Sequence, residues 1–82
     1  MLNKLKEGKK IIGVKQTIKA VRKKEVSFVY VAEDADARIT DPLVASCKDN
    51  GIEIVYVESM KHLGKACEIE VGAAAAAVFV DD

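Results

Sequence analysis

The chain of 82 residues has no tryptophan, one proline, one histidine and two cysteines. Cys47 and Cys67 have no second cysteine or histidine near either of them at ligand spacing, and His62 stands alone, which argues against a structural zinc site. Both cysteines fall at apolar positions of helix-like segments, as reduced buried thiols do, and that usage suits a cytosolic protein. The glycines are too scattered for a phosphate loop: Gly64 and Gly72 do not make GxGxxG, and no Walker pattern occurs. The longest apolar run, Val71 to Val80, is about half a membrane span. The start alternates lysine and leucine without an apolar h-region, so neither a bilayer segment nor a signal peptide is expected.

Half of the residues are apolar and about a third are charged, the profile of a globular protein. The length admits one small domain, residues 1–82, able to bury about 60% of the surface its unfolded chain exposes. The formal net charge is zero, but it hides a segregation. Up to Lys24, nine basic residues stand against Glu7 alone, a net +8; from Glu25 onward, four basic residues stand against twelve acidic ones, a net −8. A concentrated positive segment sets up a local field even when the total vanishes, which favours a directed contact with an anion over a general coating of polyanion.

The positive segment has helical order. In GVKQTIKAVRKK, residues 13 to 24, Val14, Ile18 and Val21 recur at the spacing of one buried stripe. Lys15, Gln16, Lys19, Arg22 and Lys23 occupy the other side. At the start of this helix, beside Gly13, Lys15 and Gln16, unpaired N–H groups and the positive end of the macrodipole add to the attraction for an anion, with phosphate the natural candidate. A short basic helix is also what an ordinary solvated surface looks like.

Taken in order, Met1 to Gly8 reads as a first helix closed by Gly8, and Lys9 to Gly13 as a brief strand. The basic helix then runs to about Lys24. Glu25 to Val31 reads as a central strand buried on both faces. Asp41-Pro42 reads as an N-cap followed by proline at the first helical position, with Asn50-Gly51 ending that helix. Ile52 to Val57 is a strand, and Ser59 caps a helix to about Cys67 whose interior Gly64 suggests close approach by another backbone. A loop, Glu68 to Gly72, leads to a last strand, Ala73 to Val80, where context overrides the helical propensity of its alanines. Alternating elements imply a layered α/β domain with helices on both sides of a sheet. Glu33, Asp34 and Asp36 invite a hydrolase hypothesis, but no converging base, nucleophile or metal set accompanies them, and a solvated turn is the plainer reading.

The combination GVKQTIKAV at 13–21, VAEDAD at 31–36 and LGKAC at 63–67 followed by IEVGAAA at 69–75 resembles the L-seven-Ae ribosomal-protein family, in particular its short bacterial members of the YbxF type. The resemblance covers nearly the whole chain. It implies a three-layer α/β/α sandwich around a four-stranded mixed sheet, and noncatalytic binding of kink-turn RNA, without cofactor or metal, by a cytoplasmic and monomeric protein that is ribosomal or ribosome-associated. It places RNA contacts at Gly13, Lys15, Gln16 and Lys19, where Lys15 and Gln16 replace the family's usual Asn and Glu. Gln16 donates and accepts and can address a base edge, whereas Lys15 donates only. It also assigns Ile69, Glu70, Val71, Gly72 and Ala73 to a loop whose apolar residues cover a flipped-out nucleotide, and Lys65 is a further candidate for holding a phosphate. Lys61 stands beside Met60, which takes the place of a family lysine. Glu68 stands where relatives often have glycine, and Ala37 replaces a familiar proline. A second reading is a protein-interaction or assembly module on the same fold with RNA binding lost, favoured by the altered Lys15-Gln16 pair and the acidic Glu68-Ile69-Glu70 loop.

Overall fold

The structure, a computed structural model, describes residues 9–79. Its elements are β1 (Lys10–Ile12), α1 (Val14–Arg22), β2 (Val26–Ala32), α2 (Ala37–Asp49), β3 (Glu53–Val57), α3 (Met60–Ala66) and β4 (Ala75–Phe79). The helix expected at Met1–Gly8 and the expected strand end at Val80 lie outside the described residues.

The four strands make one sheet in the order β1-β4-β2-β3, with β2 and β3 parallel and β4 antiparallel to both of its neighbours. Side chains leave alternate faces of each strand, and the two faces bury different partners. Val29, Val31, Ala75 and Ala77 pack with Ala20 and Val21 of α1 and with Leu43 and Cys47 of α2. Tyr30, Ala32, Val57 and Ala76 pack with Leu63, Ala66 and Cys67 at α3. The molecule is therefore the α/β/α sandwich implied by the resemblance, with two of the described helices on one face and one on the other.

β4 explains its alanines. Ala75, Ala76 and Ala77 are fully buried in a strand with neighbours on both edges and helices on both faces. Larger side chains flank them in register: Ile11 opposite Ala77, Ile12 opposite Ala76, Tyr30 opposite Ala76 and Val31 opposite Ala75. Small residues in the middle strand let both layers close over the sheet, and packing overrides a helical propensity worth only tenths of a kcal/mol per residue. A bulge between Val26 and Val29 shifts the β2 register by one, so that Val26 points to the same face as Val29.

Two boundaries differ from the sequence reading. The helix expected to begin at Asp41-Pro42 begins at Ala37, five residues earlier, and Pro42 lies inside it. Asp36 is the N-cap, its Oδ1 accepting from Arg38 N at 2.9 Å. Pro42 removes one backbone donor, but Arg38 and Pro42 are both exposed, so the loss falls on the solvent side. The basic helix ends at Arg22 rather than Lys24, because Lys24 turns left-handed at φ 55.

The three helices among the described residues end in the same way. Lys24, Gly51 and Glu68 take φ of 55, 67 and 63. In each case two N–H groups fold back on the last turn: Lys24 N to Val21 O and Glu25 N to Ala20 O, Gly51 N to Lys48 O and Ile52 N to Cys47 O, Glu68 N to Lys65 O and Ile69 N to Gly64 O. These are Schellman closures. Only one of them has the glycine that makes the conformation easy.

Candidate nucleic-acid interface

β1, β2 and β3 point one way and β4 the other. Each helix follows one of the first three strands, so all three helix N-termini emerge at one end of the sheet, where β4 also begins. Such ends gather unpaired N–H groups and positive dipole charge. Two of the three are neutralised from within. Asp36 caps α2, Ser59 Oγ accepts from His62 N at 3.0 Å on α3, and Asp34 Oδ1 accepts from Met60 N at 2.7 Å.

The α1 mouth has no side-chain cap, because its N-cap is Gly13. Gly13 holds φ 106 and ψ 150, a conformation essentially confined to glycine. Its N–H donates to Ala75 O at 2.9 Å, and its carbonyl accepts from both Thr17 N at 3.0 Å and Thr17 Oγ1 at 2.6 Å. A Cβ built at Gly13 would meet nothing within 4 Å, so the approach to the mouth is open. Lys15 and Gln16 are exposed in the first turn, and Lys19 is exposed about 9 Å along the axis from Gly13.

The cations on and just after α1 stand unpaired among the described residues. There the one ion pair joins Arg38 Nη2 to Asp36 Oδ2 at 3.0 Å, and both partners are exposed. The hydrogen bonds from the Arg38 side chain, and then from its backbone N–H, hold the Asp36 carboxyl below its usual range. Lys15, Lys19, Arg22 and Lys23 have no carboxylate among the described residues to answer them.

The loop before β4 forms the second wall. Its seat is Gly64, where a Cβ would run into the Val71 carbonyl and stand 3.0 Å from Gly72 Cα. The close backbone approach expected at Gly64 is therefore present, and the approaching segment is this loop. Gly72 in turn lies on Met60, with a built Cβ only 3.1 Å from Met60 Cβ. Val71 is pushed outward and is 71% exposed. Ile69 is half-buried and packs inward against the core on the α3 side. Glu70 and Gly72 are exposed.

Gly13, which opens the helix turn carrying Lys15 and Gln16, is hydrogen-bonded to Ala75 at the start of β4, with Lys19 one turn further along α1. Lys65 is not at the mouth. It occupies the last turn of α3, the helix that also carries Lys61 and lies on the opposite face of the sheet from α1. Of the two apolar loop residues, Val71 is the free one and Ile69 is largely engaged by the core. The sequence reading missed Asp34, because its partner Met60 is 26 residues away and no local pattern announces such a bond. The cap at Asp36 did have a signal: an aspartate directly before a position, Ala37, where the resembling family has proline, the residue favoured at the start of a helix.

The fold defines a small α/β/α sandwich in which one sheet end carries an uncapped, basic helix mouth bonded to the start of β4, and the loop before β4 exposes Val71. The chain belongs to the ribosomal protein L7Ae/L30e/S12e/Gadd45 family, whose model matches residues 1–82. Among its relatives, the RNA-binding protein YbxF of Geobacillus stearothermophilus is 49% identical over 75 residues, 92% of each chain. The large ribosomal subunit protein eL8 of Halobacterium salinarum is 42% identical over 67 residues, 80% of this chain and 56% of that one. The solved structure of the Giardia lamblia 15.5kD RNA binding protein superposes with a TM-score of 0.90 at 30% identity, covering 99% of this chain and 72% of that one.

Proposed function

We propose that the protein is a noncatalytic RNA-binding protein of the cytoplasm, ribosomal or ribosome-associated, that recognises kink-turn RNA as a monomer through one domain spanning residues 1–82. The observation that supports this reading is the Gly13–Ala75 hydrogen bond, which ties the open cationic helix mouth to the start of β4, four residues after the exposed Val71 of the backbone-anchored loop. Lys15 and Lys19 hold phosphates at the mouth, Lys65 holds one separately from the α3 side, Gln16 addresses base edges, and Val71, with Ile69 behind it, covers an extruded nucleotide. Phosphate contacts set position and base contacts set choice. Bases splayed out of a bent internal loop are accessible in a way that those inside an RNA duplex are not. The carboxylates of Asp34 and Asp36, which a hydrolase would need free, are both taken up in helix caps.

The test is a gel shift or calorimetric titration with a kink-turn RNA and an unbent duplex of the same length. Three neutralised phosphates lower affinity about 20- to 40-fold between about 50 and 200 mM salt. Lys19→Ala weakens both RNAs, whereas Gln16→Ala narrows the preference for the kink. Equal binding of the two RNAs by the parent rejects the reading, and no binding of either leaves the family's fold serving as an assembly module.

A further inference from the structure

The acidic turn after β2 has a structural partner that the RNA reading above does not use. We infer that Asp34 is a positioning residue for the lip, setting where Val71 stands through the first residue of α3; the inference rests on the RNA reading for its functional consequence.

Three contacts in series carry it. The carboxylate of Asp34 accepts from Met60 N at 2.7 Å, across 26 residues of sequence. The Met60 carbonyl accepts from Ala73 N at 3.0 Å. Met60 also forms the floor under Gly72, where a built Cβ would lie 3.1 Å from Met60 Cβ and 3.3 Å from its carbonyl carbon and oxygen. The Val71 carbonyl is confined from the other side by Gly64 of the same helix. The lip is thus clamped to α3 at two points along the helix, and Asp34 ties the start of α3 to the turn leaving β2. Ala32, two residues before Asp34, donates its N–H to Ala74 O at 2.9 Å, so the turn and the entry to β4 share one frame.

The chemistry suits an aspartate. The bond is charge-assisted, and the carboxylate sits at the N-terminus of α3, where the dipole favours a negative charge. The backbone target of this exposed carboxylate, Met60, touches both Gly72 and Ala73. Asparagine keeps an acceptor oxygen at the same reach, and alanine does not.

The experiment compares Asp34→Ala and Asp34→Asn by amide NMR without RNA and by affinity for a kink-turn RNA, each with and without Val71→Ala. In Asp34→Ala the Met60 amide exchanges faster, and resonances of residues 69–73 move more than those of β3. Kink-turn affinity falls about three- to tenfold, the range expected for one lost hydrogen bond. Asp34→Asn restores the loop resonances and binds within about twofold of the parent, since it keeps the acceptor. Val71→Ala then costs less in the Asp34→Ala background than in the parent, because a displaced lip has less to lose. A lowered melting temperature with unmoved loop resonances, or an equal cost of Val71→Ala in both backgrounds, overturns the inference. Should Asp34→Ala not fold, Asp34→Glu, which carries the carboxylate one methylene too far, is expected to shift the same loop amides; unshifted amides there overturn it equally. A parent that binds no kink-turn RNA rejects the proposed function, while the RNA-free spectra still decide whether Asp34 places the loop.

Discussion

Gly64 lies directly beneath the carbonyl of Val71, in a gap that leaves no room for a side chain. Glycine in a helix interior costs about 1 kcal/mol relative to alanine, so the gap is maintained against local propensity. Gly64→Ala should therefore do the opposite of what helix propensity says: lower stability by about 1–3 kcal/mol through overpacking and lift the loop. Thermal unfolding reads the first effect, and amide shifts confined to residues 69–73 read the second.

Gly13 is constrained differently. Space around it is open, so any cost of Gly13→Ala comes from backbone alone, at φ 106. A penalty of about 1–3 kcal/mol is expected for forcing a side chain into that region. Denaturant melts measure it. RNA affinity should fall as well, because relaxing the backbone turns the α1 mouth away from Ala75.

Glu68 offers the reverse case. It holds a left-handed conformation at φ 63 in a closure that glycine serves better. Glu68→Gly should raise stability by up to about 1 kcal/mol, the relief of the Cβ clash less the added freedom of the unfolded chain. The same change removes an acidic side chain next to the loop and should tighten RNA binding at low salt, as a titration at two ionic strengths would show.

Ala37 is the first residue of α2, and the residue before it, Asp36, has φ −59 and ψ 123. That extended geometry is what a following proline imposes. Ala37→Pro should thus add about 0.4–1 kcal/mol by restricting the unfolded chain without disturbing the folded one. Chemical denaturation of the two proteins side by side tests it, with an unchanged slope confirming that the fold is kept.

The layers and their order were legible in the sequence because periodicity and composition reported real burial. Val21 is completely buried, β2 lies inside the sheet as its apolar run required, and Gly64 marks a backbone contact. The basic mouth was legible for the same reason, since the stripe of Val14, Ile18 and Val21 leaves Lys15, Gln16 and Lys19 outside. The buried arc is wider than that stripe: Thr17 and Ala20 are buried too, and Thr17 spends its hydroxyl on Gly13. The start of α2 was misplaced because Asp41-Pro42 carries a stronger local signature than Asp36-Ala37. A helix exposed on one side tolerates a proline that a buried one would not. The division of labour between Ile69 and Val71 was not legible at all, because the turn at Glu68 decides which of two neighbouring apolar residues faces the core.

The strand order carries a consequence for how the chain is made. β2, α2 and β3 can pair as soon as they exist, but the neighbour of β1 among the described residues is β4, synthesised more than sixty residues later. Until residues 75–79 leave the ribosome, Gly13 has no acceptor for its N–H and the lysines of α1 have no fixed bearing on the rest of the molecule. Long-range pairing of this kind is entropically slow. A chain that has not yet reached residues 75–79 therefore cannot fix the bearing of the α1 mouth on the sheet.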